Sequence, residues 1–325
     1  MTTATEQEQI QQQRQDQSAL FLDGCLVDLR ISYWRGKRPL SAQDLGLDNQ
    51  DVPDIFTLGR KLVIPRSALA RFERIDARAH YLIDQFTFPF PTGRARFVPY
   101  SVLPQVVEEL KALKQQFNEQ VEQFLDKYED YRQEMIDKYP EYAEALSRGY
   151  SSASDLRKRF HNEHTLYEVS LPKNIRFKAV EERDAVADAE AKRRALEQAE
   201  EEYKRQFQSQ IDEFLGSSVG KLREAVGDSV LKLSGRIQKG DAVTKQSLDS
   251  LKRTIERFRT LNFIGDKEVE SKLSGLEALI PESGKKFEEG AFKQSFTTAL
   301  DSVTSTLMES DISSVTGEYK RRLRM

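Results

Sequence analysis

Two histidines three residues apart, His161 and His164, form the arrangement in this chain that comes closest to a metal-binding pair. On a helix, this spacing would place both imidazole rings on one face, where they could ligate zinc. The other histidine, His80, is distant in sequence, and no acidic residue or third histidine stands at a recognised ligand spacing. We therefore expect no metal site, and we interpret both histidines as surface or packing residues.

A basic cluster, Arg157-Lys158-Arg159, directly precedes these histidines and is followed by Phe160. Cationic side chains beside an aromatic ring can contact phosphates and stack on bases. A second basic run covers residues 320–324. Each cluster is short, and the formal net charge of the chain is -3, which gives no general attraction to nucleic acid. Contact with solvent or with protein is the favoured interpretation.

The other candidates for chemistry are weaker. Cys25 lies in an apolar run, where a thiol is normally buried and unreactive. Residues 216–221 resemble a phosphate-binding loop, but they have one residue too few between the glycines and follow a predicted helix instead of a strand. The sequence therefore predicts no catalytic residue and no cofactor, and a non-enzymatic protein.

The composition indicates a soluble cytoplasmic protein. Charged residues make up 32% of the 325 residues, and the mean hydropathy is -0.63. The single cysteine rules out an intramolecular disulfide and fits a reducing compartment. The N-terminus shows no apolar segment typical of a secretion signal, and no window approaches the roughly 18 apolar residues of a membrane span.

The element that must position any site is a long helix predicted over residues 101–147. Its apolar residues fall into two sets that alternate at spacings of three and four, which is typical of a helix packed against a partner helix. One set is Val107, Val121, Tyr128, Met135 and Tyr142, and the other is Leu103, Leu110, Phe117, Phe124 and Tyr131. About 45 helical residues would form a rod of about 65 Å.

A second long helix is predicted from about residue 179 to residue 238, with an apolar stripe in which spacings of four dominate. The simplest geometry folds this helix back along the first one. The predicted fold is therefore mainly α, with a long antiparallel coiled-coil hairpin stalk over residues 101–238 and a tip at residues 148–178. Within the tip, LRKRFHNEH is predicted to be a short basic helix.

The flanking regions complete the predicted domain organisation. Residues 1–19 are a polar, disordered lead-in, and residues 239–325 form a C-terminal helical bundle with a basic tail. Residues 20–100 form a small α+β head. The head has a strand over residues 27–33, a brief strand over residues 61–64, a helix that Ser67 can cap, and an edge hairpin within FTFPFPTGRARFVPYSV.

Three stretches of the sequence together carry a family resemblance: LVDLRISYWRGKRPLSAQDLGL, KLVIPRSALARFERIDARAHYLI and FVPYSVLPQVVEELKALKQQF. In order and spacing they resemble the bacterial and phage family catalogued as domain of unknown function 3150 (DUF3150), over about residues 20–240. The resemblance implies no reaction and no catalytic residues. Genes of this family often lie beside those of a MoxR/CobS-type AAA+ ATPase and a CobT-like von Willebrand factor A (VWA) protein. The resemblance thus implies a partner in an ATPase-driven remodelling system of mobile elements or phages.

Two functions follow as expectations. The first is an interaction or adaptor protein that meets its partner through the tip, and the alternative is a nucleic-acid-binding accessory factor that uses the basic tip and tail. The tip has either a recognition role, which we favour, or a structural role in capping the apolar seam. The candidate partner-binding residues are Arg157, Lys158, Arg159, Phe160, His161, His164 and Tyr167.

Overall fold

The computed structural model describes residues 21, 23–47, 55, 57–91, 93–148, 151–169, 186–241, 243–280 and 291–323. The protein is mostly helical, with a small antiparallel sheet. The strands are β1 (Gly24–Ser32), β2 (Lys37–Pro39), β3 (Arg60–Leu62), β4 (Phe88–Pro89), β5 (Arg96–Pro99) and β6 (His161–Tyr167). The helices are α1 (Ala70–Phe86), α2 (Leu103–Asp126), α3 (Tyr128–Lys138), α4 (Ala143–Ser147), α5 (Ala153–Arg157), α6 (Val186–Gln238), α7 (Lys245–Leu261), α8 (Lys267–Ala278), α9 (Ala291–Glu309) and α10 (Ile312–Lys320).

The chain packs as two compact units, and neither is continuous in sequence. The first unit takes its residues from Met1–Leu26, Phe88–Val102 and Tyr167–Met325. The second takes its residues from Val27–Thr87 and Leu103–Leu166. The predicted division at residues 19, 100 and 238 stays a prediction, and the lead-in over residues 1–19 lies outside the described residues.

The strands form two small sheets. One has the order β4-β5-β1-β6, and the other pairs β2 with β3 in antiparallel register, with Lys37 opposite Leu62. The antiparallel pairing of β4 and β5 confirms the predicted hairpin, with Phe88 opposite Phe97. The predicted strand over residues 27–33 is also confirmed, as the C-terminal part of β1. The β1 strand ends before Gly36, whose φ of 67° is accessible to glycine at little cost.

The core of the second unit is built from aromatic rings on α1, α2 and the segment after β1. Phe72 of α1 contacts Phe117 and Phe124 of α2 with ring centroids 5.4 Å and 5.8 Å apart. Trp34 packs edge-on against Phe124 at 6.4 Å and against Tyr128 at 6.0 Å. These side chains are buried, as the heptad pattern predicts for Phe117, Phe124 and Tyr128. The prediction that this face of the helical stretch is buried is therefore confirmed.

The prediction of one continuous helix over residues 101–147 is wrong. The helical path is divided into α2, α3 and α4, with breaks at Lys127 and at Tyr139-Pro140. Proline lacks the N–H that a helix interior needs, and its ring disfavours helical geometry in the residue before it. Tyr139 accordingly has φ -132° and ψ 65°, and α3 ends at Lys138. The break at Lys127 has no proline or glycine beside it.

The antiparallel coiled-coil hairpin is not confirmed. The apolar residues of α2 are buried against α1 and the Tyr33-Trp34 segment inside the second unit. The long α6 packs against α7, α9 and α10 inside the first unit. A heptad pattern shows that one face of a helix is buried, but it does not identify the surface that covers this face.

The first unit is organised around α6, a helix of 53 residues. Residues in its C-terminal half are buried mainly at spacings of three and four: Ile211, Phe214, Leu215, Val219, Leu222, Val226, Val230, Leu233 and Ile237. Phe214 contacts Phe21, Phe90 and Phe97 with centroids 5.0–5.7 Å apart. The helices α7, α9 and α10 pack against α6, and α8 packs against α7 and α9. The helices predicted for this part of the chain are present in its described residues. Among the described helices, none combines the length and the apolar character that a membrane span requires.

Candidate functional site

The predicted tip contains a short helix, a turn and a strand. Ser152 caps α5 by accepting a hydrogen bond from the Asp155 N–H at 3.1 Å. The helix predicted over LRKRFHNEH is wrong beyond Arg157, because Lys158 and Arg159 form a turn and β6 begins at His161. Leu156 and Phe160 on either side of the turn are both buried, which fixes the turn to the core. Residues 170–178 of the tip lie outside the described residues.

The turn between these two anchors exposes the basic side chains of Arg157, Lys158 and Arg159, which we call the basic ridge. Arg157 donates two parallel hydrogen bonds to the Glu122 carboxylate. This contact lowers the pKa of Glu122. Lys158 pairs with Asp155 at 3.2 Å. Arg159 makes no side-chain hydrogen bond or ion pair with another described residue, so its charge is available to a partner.

Phe160 is a core residue of the second unit. Its ring lies 5.1 Å from that of Phe72 and 5.5 Å from that of Phe124, measured between centroids. With 8% of its surface exposed, the ring itself offers little to a partner. Its contribution is to hold the basic ridge in place.

The two histidines lie on a strand, so the helical argument for a zinc pair does not apply. Side chains three residues apart on a strand point to opposite faces of the sheet. His161 is exposed, whereas His164 is half-buried. Burial, with Lys114 and Lys111 nearby, lowers the pKa of His164 and favours its neutral form. Within the described part of the chain, no three metal-ligating side chains come together.

The remaining predicted contact residues have different environments. Tyr167, the last residue of β6, is 46% exposed. In the described part of the basic tail, Lys320 pairs with Asp212 at 2.6 Å, and Arg322 lies over the ring of Tyr319. Cys25 is buried in β1, and this burial, followed by the charge of Glu168, raises the pKa of its thiol. A protonated thiol is a poor nucleophile.

A groove in the second unit brings together residues that the sequence analysis did not select. It lies between α1 and α2 and has a volume of about 340 Å³. Arg71, Arg74 and Arg78 form one wall, and we call this feature the arginine groove. The α2 side carries Gln116, Glu119, Gln120 and Gln123, and the partly exposed Ile75 and the buried Leu113 complete the lining. Three positive charges against the one negative charge of Glu119 leave an excess of two positive charges.

Among the described residues, no carboxylate forms an ion pair with the arginines of this groove. Arg71 donates to the amide oxygen of Gln123 at 2.9 Å, and Arg74 donates to the Ala70 carbonyl at 3.3 Å. Arg78 has no hydrogen bond or ion pair with any residue that the structure describes. Arginines at spacings of three and four form one stripe of a helix. Apolar periodicity, from which the helix was predicted, carries no information about this polar stripe.

Comparison with known proteins now places the chain. A family model described as "Protein of unknown function (DUF3150)" matches residues 22–300. The chain belongs to the DUF3150 family. The resemblance predicted from the three sequence stretches is thereby confirmed. In this DUF3150 protein the match includes both the basic ridge and the arginine groove. Neither the comparison with curated proteins nor that with solved structures gave a match.

Proposed function

We propose that this DUF3150 protein is a non-enzymatic adaptor that binds a MoxR-type AAA+ ATPase, a VWA protein, or both, in a remodelling system of a mobile element or phage. The observation that carries the proposal is the basic ridge. Three cationic side chains are exposed on a turn that is fixed on both sides by the buried Leu156 and Phe160. A pre-organised surface loses less conformational entropy when a partner binds. The choice of partners comes from what the family resemblance implies.

The proposal does not require a long stalk. The turn is anchored in the core of a compact unit, so its position is fixed without a rod. Loops on rigid scaffolds are common binding sites. A partner surface rich in carboxylates would complement the ridge.

Charge reversal of the ridge tests the proposal. In the variant Arg157→Glu/Lys158→Glu/Arg159→Glu, we expect capture of the ATPase or VWA protein to fall by about tenfold or more, because attraction becomes repulsion. The measurement is co-purification of the three proteins after expression together. The single variant Arg159→Glu, which breaks no ion pair between described residues, should weaken capture in the same direction. A matched control is Lys232→Glu/Lys239→Glu/Lys245→Glu, at three exposed lysines of the first unit. Undiminished capture by the folded ridge variant would exclude the ridge as a contact.

Nucleic-acid binding is the alternative function, and the contacts of the basic residues give it less support. Lys320 and Arg322 of the tail, on which the alternative relies, are already engaged within the protein. The same ridge variant distinguishes the two functions when it is tested for retention on DNA. Retention that falls steeply with salt and is lost in the variant would favour the alternative, because phosphate contacts release counterions.

A further inference from the structure

We propose that the arginine groove binds an acidic amphipathic helix of a partner protein, whose carboxylates face Arg71, Arg74 and Arg78. This inference rests on the proposed adaptor function and assigns to it a second surface with a defined kind of ligand.

The spacing of the arginines matches a helical ligand. At about 1.5 Å per residue, the three Cα positions rise by about 4.5 Å and then about 6 Å along α1. An acidic helix that carries carboxylates at spacings of three and four has the same repeat, so each carboxylate can meet one guanidinium. Arginine forms two parallel hydrogen bonds with a carboxylate, which fixes orientation as well as attraction.

The arginines are available for such a ligand. Two other exposed arginines are neutralised by carboxylates: Arg157 by Glu122, and Arg259 by Glu270 at 2.6 Å and Glu277 at 2.5 Å. In the groove, Arg71 and Arg74 have neutral oxygen partners, and Arg78 has none among the described residues. The neutral partners orient the guanidinium groups without cancelling their charge.

The lining favours a protein helix over a nucleic acid. Ile75 is partly exposed and can contact the apolar side chains of an amphipathic helix, whereas Leu113 is buried. Tyr81, which is 66% exposed, lies three residues after Arg78 and so extends the same stripe. Arginine and tyrosine are enriched at the centres of protein interfaces. Glu119 in the opposite wall would repel a phosphate backbone, whereas a helix can direct its neutral residues towards it.

The test uses the full chain and a synthetic probe. The probe is a fluorescent helical peptide of about 20 residues, with glutamates three and four residues apart on one side and leucines on the adjacent side. Its partner probe has every glutamate replaced by glutamine. We expect the acidic peptide to bind, and the variant Arg71→Gln/Arg74→Gln/Arg78→Gln to weaken it by about tenfold or more in fluorescence anisotropy. The glutamine peptide should bind about tenfold more weakly to the unmodified protein, for the same reason.

A matched control removes the same charge elsewhere. Lys232→Gln/Lys239→Gln/Lys245→Gln eliminates three exposed cations of the first unit and should change the affinity by less than about twofold. Circular dichroism establishes that each variant is folded. If the triple arginine variant unfolds, Arg78→Gln alone decides the question. Arg78 has no internal partner among the described residues, and its loss should weaken binding by about threefold.

Three results would overturn the inference. One is that the acidic peptide does not bind, and another is that its binding survives the arginine substitutions. The third is that a single-stranded DNA of similar charge binds more tightly and is lost with the arginines, which would make the groove a nucleic-acid site. The assay contains neither an ATPase nor a VWA protein. If the ridge variant captures its partners normally, the outcome of the peptide-binding assay is not affected. If the acidic peptide does not bind, the proposal for the basic ridge is not affected.

Discussion

At the scale of single residues, Lys61 and Asp44 join three segments of the second unit. The Lys61 ammonium lies 2.8 Å from the Asp44 carboxylate and donates to the Ala145 carbonyl at 2.5 Å. Burial opposes ionisation of Asp44, but the hydrogen bonds from Lys61 and Ser41 outweigh it and lower the pKa of Asp44 to about 2. The ionised carboxylate is therefore part of the folded structure.

Acid should remove the stabilisation that Asp44 contributes. Because the folded pKa lies below the unfolded value of 3.8, the contribution is present above about pH 4 and is lost as the pH falls towards about 2. This lowering of the Asp44 pKa corresponds to a contribution of about 2 kcal/mol to the free energy of unfolding at neutral pH. We expect Asp44→Asn to lower the free energy of unfolding by at least this amount at pH 7. The difference should shrink below about pH 4 in urea titrations.

The control for this measurement is Asp249→Asn on the exposed surface of α7, which should cost less than about 0.5 kcal/mol at every pH. A difference between Asp44→Asn and the unmodified protein that stays constant from pH 7 to about pH 3 would contradict the assignment, because the stabilisation would then not depend on ionisation.

At the scale of elements, a buried ion pair links α6 to two other helices of the first unit. Arg223 of α6 lies 2.8 Å from Asp266, and both side chains are almost fully buried. Arg223 also donates to the Ser310 carbonyl at 2.7 Å, just before α10. Asp266 accepts a hydrogen bond from the Val269 N–H at 3.3 Å and so caps α8. The pair thus positions the start of α8 and the connection between α9 and α10.

Removing one member of this pair should cost more than removing both. We expect Arg223→Met to lower the free energy of unfolding by about 3–5 kcal/mol, because Asp266 is left as an unpaired buried charge. Arg223→Met/Asp266→Asn should recover a large part of this loss, since the amide oxygen of asparagine can still cap α8. Urea unfolding measures both.

A matched control is the exposed pair of Lys267 and Glu318, 3.5 Å apart. Lys267→Met should cost less than about 1 kcal/mol. A double variant as unstable as Arg223→Met would show that packing of the arginine stem, and not the unpaired charge, dominates the loss.

The elements also show what the sequence could and could not predict. The heptad pattern correctly predicted that Phe117, Phe124 and Tyr128 are buried, since periodicity depends on one helix alone. It could not predict that α1 covers them, because the partner is fixed by contacts between residues far apart in sequence. The break at Tyr139-Pro140 could have been predicted from the proline. The spacing of Arg71, Arg74 and Arg78 was equally visible, but only the structure shows that a groove between α1 and α2 runs beside them.

At the scale of the whole molecule, each unit has its own aromatic core. Phe124 is fully buried in the second unit and contacts the rings of Trp34, Phe72 and Phe160. In the first unit, Phe258 of α7 is buried to a similar degree. Because neither unit is continuous in sequence, the division could not be predicted from composition or from linker-like stretches.

Truncation of one core should therefore destabilise mainly its own unit. We expect Phe124→Ala to cost about 3–5 kcal/mol and to accelerate amide hydrogen exchange chiefly in α1 and α2. Phe258→Ala should have a similar cost but act chiefly on α6, α7 and α8.

Tyr142→Ala is the control within the heptad pattern. Its ring is 47% exposed, so the change should cost less than about 1 kcal/mol. An equal loss of free energy of unfolding in Tyr142→Ala and Phe124→Ala would mean that a second chain covers Tyr142 in solution. The predicted coiled coil would then form between two chains. If Phe124→Ala accelerates exchange equally in both units, the molecule unfolds as one cooperative body and the two cores are not independent.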